Sequence, residues 1–142
     1  SMSEDCYLRH LRFLKDRYAS AIYYCHPKEN NLLPETIFGV ENVVRPVSPI
    51  EIHFSKFGIP EKLVGVASTS LMVLPRAAKA RIAVDLIVLP QRDFDGFKGD
   101  TIEPLRARLG PGWDIRVSDL QGLLFGQLQS IATVRIVCQP AS

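Results

Sequence analysis

With 142 residues, 46% of them apolar and 23% charged, the chain has the make-up of a globular protein with its own core, not of a disordered or low-complexity one. Its net charge of +2 is spread without basic or acidic blocks, which gives no strong electrostatic argument for nucleic acid or a membrane. No apolar run nears the roughly 18 residues needed to span a bilayer, and Cys6, Cys25 and Cys138 form neither a CxxC pair nor an even disulfide framework, which fits reduced thiols in the cytoplasm.

Ser1-Met2-Ser3 reads as a cloning remnant ahead of the start, and no signal-peptide pattern comes after it. Tyr7, Leu11, Leu14 and Tyr18 recur at three- and four-residue spacing, which predicts a helix over 4–18 with Glu4 and Asp5 in its first turn and His10 on its exposed side. Ala21 to Cys25 is a short apolar and aromatic run suited to a buried strand. It stops at His26-Pro27, because proline lacks the N–H a ladder needs. Lys28 to Asn31 is polar and reads as a loop, and Asn42 to Val44 as a second short strand.

Ser48-Pro49 predicts a helix start, with Ser48 as N-cap, Pro49 in the first helical position and Glu51 in the first turn. That helix, which carries His53, is expected to end near Gly58. Lys62 to Ala67 is a third strand running into Ser68-Thr69-Ser70, and a helix over 71–80 comes next, kinked or ended by Pro75. Ile82 to Leu89 is apolar at every position but Asp85, as a strand covered on both faces should be. A carboxylate inside such a strand must find partners if it is buried, or else point to an edge. A short helix over 102–109 ending at Gly110-Pro111-Gly112, a strand over 114–117, an ambiguous stretch over 120–130 and a final strand over 132–138 complete the pattern. Trp113 reads as a core or groove aromatic. The alternation of strand and helix predicts one α/β domain over 4–142, Rossmann-like with a mostly parallel sheet.

Two loops after strands could carry chemistry, since ligands of open parallel sheets bind outside the strands' carboxyl ends. One holds His26-Pro27 and the other Ser68-Thr69-Ser70. Hydroxyls before a helix can join free backbone N–H groups around a phosphate. A histidine at a neighbouring strand end can donate a hydrogen bond or a proton to the same group. No metal-ligand spacing appears, and neither His10 nor His53 has a ligand partner at suitable spacing.

Tyr23-Tyr24-Cys25-His26-Pro27-Lys28-Glu29-Asn30 resembles the His-Pro motif of bacterial sialyltransferases and polysialyltransferases, which often reads Pro-His-Pro-Arg-Glu after hydrophobic residues. Gly65-Val66-Ala67-Ser68-Thr69-Ser70-Leu71 resembles their later Ser-Ser or Ser-Thr motif, and Pro49-Ile50-Glu51 matches an acidic position between the two. The resemblance covers roughly residues 18–90. Cys25 stands where many members have proline, and Lys28 where arginine is common, so bidentate contact would be lost there.

The resemblance implies the donor-binding half of a GT-B glycosyltransferase using CMP-sialic acid, without a metal. By that analogy His26, next to Pro27, would meet the donor phosphate and protonate the departing CMP. Ser68, Thr69 and Ser70 would hydrogen-bond the phosphate, and Glu51 would hold the ribose hydroxyls. Fixed donors aimed at a leaving phosphate lower the barrier of such a transfer. The family's acceptor-activating base lies in an N-terminal acceptor domain that this sequence does not include, so the expectation is a chain that binds CMP or a CMP-sugar but does not turn over alone. Its expected partner is that acceptor domain, or a second copy through an apolar docking face. The expected location is the cytoplasm or the periphery of the inner membrane.

Two other readings stay open. Residues 103–117 resemble the helix-then-strand of an adenylate-forming ligase C-terminal domain, but no lysine comes after Lys98 to serve that chemistry. The same core could also serve a non-catalytic α/β interaction module in which both motifs are turns.

Overall fold

The computed structural model describes residues 4–66, 69–90 and 125–140, the side chains of Thr69 and Met72 excepted. The helix and strand expected over 102–117, with Trp113, lie outside the described residues. The chain is mixed helix and strand, and every strand pair among the described residues is parallel. The strands form two small sheets, within two compact units that divide between Lys56 and Phe57.

The N-terminal unit begins with α1 (Glu4–Arg17), which carries Glu4 and Asp5 in its first turn and Lys15 and Arg17 in its last, matching the helix dipole at both ends. Cys6, His10 and Leu11 are its buried residues. The sequence placed His10 on the outer side. Cys6 and His10 thus share the inner face with Leu11 of the expected stripe.

Strand β1 (Tyr23–Tyr24) pairs with β2 (Val43–Val44), Tyr23 opposite Val43 and Tyr24 opposite Val44. Cys25 adds one more bond, its N–H donating to the Val44 carbonyl at 2.9 Å. Pro27 and Pro46, which have no N–H, come soon after each strand and hold the ladder short.

Helix α2 (Leu33–Phe38) was not foreseen in the sequence. Its signals are local: the Asn31 side chain accepts the Leu33 N–H at 3.0 Å, and Pro34 and Glu35 occupy the first turn. Helix α3 (Ile50–Phe57) starts one residue later than the Ser48-Pro49 pattern suggests, because the Pro49 carbonyl takes the first bonds, from Ile52 and His53. Gly58 comes directly after it with φ +88°, a left-handed conformation in which the absence of a Cβ removes the penalty at a helix end. Tyr24 packs on Phe54 at 4.9 Å and on His53 at 5.5 Å between ring centroids, which fastens α3 to β1.

In the C-terminal unit the order is β3 (Lys62–Gly65), β4 (Ala83–Val88) and β5 (Thr133–Cys138), with β4 in the middle. Helix α4 (Thr69–Ala77) crosses from β3 to β4 and contains Pro75, which removes one helical hydrogen bond and precedes the helix end by two residues. Gly65 is where strand and helix approach closely: a Cβ there would meet a Leu71 methyl at 3.1 Å. Leu71, Ile82, Val84, Leu86, Leu128 and Ala132 form the core, with Leu63 and Val134 packed against it from the flanking strands. Residues 125–128 are helical. Arg81 ties the end of that segment to β5, donating to the carbonyls of Gln129 at 2.8 Å and Ala132 at 2.6 Å.

Asp85 on β4 is 2% exposed, and its partners stand on both neighbouring strands. Arg135, directly opposite on β5, donates twice, at 2.7 and 3.2 Å. Lys62 on β3 lies 3.1 Å away. The partners that burial demands are therefore supplied by the sheet itself. No helix among the described residues is long and apolar enough to cross a membrane.

Candidate functional site

The parallel pairing of β1 and β2 brings their carboxyl ends to the same sheet edge. After β1 come His26 and Pro27; after β2 come Arg45 and the lead into α3 with Glu51 in its first turn. The N-terminal unit thus places His26, Pro27 and Glu51 at or beyond one carboxyl edge.

His26-Pro27-Lys28-Glu29 is a β-turn. The Glu29 N–H donates back to the His26 carbonyl at 2.9 Å, with proline in the second position, where its fixed φ suits a turn. The imidazole joins the turn: His26 Nδ1 accepts the Lys28 N–H at 3.1 Å. Among the described residues Nε2 has no partner, and the residue is exposed.

The turn is fixed by the Glu29 carboxylate. Oε1 accepts the His26 N–H at 2.7 Å. Oε2 accepts the Tyr23 hydroxyl at 2.8 Å and the Tyr7 hydroxyl at 2.5 Å. One carboxylate therefore joins α1, β1 and the loop through charge-assisted bonds, about twice as strong as neutral ones. Tyr23 is held from its other side by a stacked contact with Phe38, centroids 5.1 Å apart.

Arg45 closes the loop from β2. Its fork grips Glu35 at 2.7 and 2.9 Å, and the same guanidinium donates to the carbonyls of Glu29 and Asn31, each at 2.5 Å. These bonds give loop carbonyls the partners that helix or sheet would otherwise provide.

The electrostatics reflect these contacts. Burial and then the Glu29 charge push the Tyr23 phenol well above its ordinary value, and Tyr7 shifts the same way through burial and its bond to Glu29. Burial, reinforced by Glu29, raises the Cys25 thiol to about 11, so it is a packing group and not a ready nucleophile. The hydrogen bonds from Arg45 hold the Glu35 carboxyl below the usual carboxylate range.

The hydroxyl motif belongs to the other unit. Ser68 lies outside the described residues, Thr69 opens α4, and Ser70 is half-buried in its first turn. Both come after β3, at the carboxyl edge of the three-stranded sheet. The structure thus groups His26, Pro27 and Glu51 in one unit and Thr69 and Ser70 in the other.

No family model, curated protein or solved structure matches the chain. The functional reading therefore rests on the site itself.

The sequence passed over the residues that organise this loop. Glu29 lies inside the quoted motif, yet an acid after His-Pro-Lys carries no local sign that two tyrosines, 22 and 6 residues back, will meet it. Arg45 was equally silent, its partners lying 10 to 16 residues away in sequence.

Proposed function

We propose that this chain is a donor-nucleotide-binding α/β module of the sialyltransferase type, with CMP or a CMP-sugar as its ligand. What supports the reading is the His26 imidazole: exposed after β1, engaged through Nδ1 by the Lys28 N–H, and offering Nε2 to an incoming acceptor. A turn fastened by Tyr7 from α1 and by Arg45 from beyond β2 spends little entropy when it meets a ligand, as a preorganised donor should.

In this reading Nε2 meets a phosphate oxygen. Glu51, in the first turn of α3, accepts from the ribose hydroxyls, and Pro27 keeps the turn rigid. Ser68, Thr69 and Ser70 remain proposed as phosphate donors, to be tested separately. The acceptor-activating base is outside the proposal.

Calorimetric titration with CMP, AMP, GMP, UMP and 2′-deoxy-CMP tests it. CMP should bind best, and Glu51→Gln should bind CMP about as weakly as the wild type binds 2′-deoxy-CMP. Ser70→Ala should also weaken CMP if that hydroxyl belongs to the site. No heat with any cytidine nucleotide would leave the interaction-module reading in its place.

A further inference from the structure

The hydrogen bond on His26 bears on what that residue can do. A backbone N–H pointing at Nδ1 is accepted by a lone pair there, which places the ring proton on Nε2. From that state the ring can donate a hydrogen bond, but it cannot give its proton away without becoming an imidazolate. To act as an acid it must first be protonated on Nδ1, and Nδ1–H would then face the Lys28 N–H, donor against donor.

The turn that aims the Lys28 N–H at the ring is itself held at several points. Glu29 grips the His26 N–H and is itself held by Tyr7 and Tyr23. Arg45 holds the Glu29 carbonyl. Among the described residues, the charged and titratable groups around the turn include the Glu29 carboxylate, the Lys28 ammonium, the Arg45 guanidinium with its Glu35 partner, the Cys25 thiol and the two phenols.

The geometry points to His26 as a locked neutral donor: it holds a ligand oxyanion through Nε2–H, with Glu29 as the positioning residue that selects this tautomer. The ligand's identity rests on the donor-nucleotide reading; the tautomer does not. The departing phosphate would then be stabilised by a hydrogen bond from His26 and not by a proton from it.

Nitrogen-15 NMR of the imidazole ring in the full chain, through long-range nitrogen–proton correlations, reads the tautomer directly. At about pH 8, above the ordinary histidine range, wild type should show a single neutral tautomer with Nδ1 unprotonated. Glu29→Ala should give a mixture, and Glu29→Gln, which keeps an acceptor for the His26 N–H, should restore the single form. A proton on Nδ1 in wild type, a mixture in wild type, or an unchanged population in Glu29→Ala would each overturn the assignment. The wild-type measurement decides even if Glu29→Ala does not fold. With CMP added, the Nε2 resonance should move while Nδ1 stays unprotonated, and an imidazolium in the complex would return His26 to the role of acid. If CMP leaves the ring untouched while the single tautomer is seen, the donor-nucleotide reading fails and the tautomer assignment stands.

Discussion

Tyr23 donates its phenol to Glu29 Oε2 at 2.8 Å, from the strand that precedes the turn Glu29 closes. The two residues are six apart in sequence, so strand and turn are stapled by a short polar link. Tyr23→Phe keeps the ring stacked on Phe38 and removes only the hydroxyl. Denaturant unfolding should show a loss of about 2 kcal/mol, the usual size for a hydrogen bond to a charged group. Glu29→Ala strips the acceptor from three donors at once and should cost more, about 3 kcal/mol. Equal losses in the two variants would mean that Glu29 does not bind the elements together.

Alkaline pH should weaken the fold through Cys25 and the two phenols. Each of these groups is raised in the folded state, so each contributes stability that is fully present below its unfolded value and lost as pH rises. For Cys25 the window runs from its ordinary 9.0 to about 11. Melting temperature should fall across that window, and Cys25→Ala should flatten the fall there while Tyr23→Phe flattens the part above about pH 10. A melting temperature flat from about pH 9 to 11 would contradict the burial of Cys25 and the phenols.

Glu35 shifts the opposite way. Its carboxyl is lowered by Arg45, so the stability it contributes is present above the unfolded value and lost as pH falls through the folded one. Acid titration should therefore loosen the Arg45 fork, and Arg45→Ala should remove that part of the acid sensitivity. Carboxyl carbon shifts of Glu35 tracked by NMR in both proteins would show it; an identical titration midpoint would rule the pair out as the cause.

In the C-terminal unit, Asp85 is held more closely by Arg135 than by Lys62. Arg135→Ala removes both guanidinium bonds from a buried carboxylate and should destabilise by about 2–3 kcal/mol. Lys62→Ala removes the longer 3.1 Å contact and leaves the two Arg135 bonds in place, so it should cost less, under about 1 kcal/mol. Asp85→Asn should fall between them, because Lys62 and Arg135 can turn to water once the charge is gone. Chemical denaturation of the three variants checks the order, and a larger effect for Lys62 than for Arg135 would reverse the ranking of the two partners.

The strands and most helices were legible in the sequence because burial and periodicity are local. Ile82 to Leu89 announced β4, whereas Asp85 within it left open whether it would be buried with partners or point to an edge. Gly58 marked the end of α3, as its positive φ bears out. The division of the strands into two sheets was not legible, since nothing in Val43-Val44 or Lys62 to Gly65 states which neighbour each will choose. Helix α2 escaped because six residues carry too little periodicity to stand out. The site split in the same way. His26 was visible through its motif, whereas the grip of Glu29, Tyr7 and Arg45 depends on distant residues meeting in three dimensions.

The central claim is that His26 meets a cytidine nucleotide, and thermal denaturation with CMP in wild type and His26→Ala tests it most directly. The His26 side chain is exposed, so the substitution should leave the fold intact. A ligand at a hundred times its dissociation constant stabilises by about 2.7 kcal/mol, which is several degrees for a chain of this size. CMP should raise the melting temperature of the wild type, AMP, GMP and UMP should do so less, and His26→Ala should lose the CMP effect. Equal shifts in both proteins, or none in either, would contradict the claim.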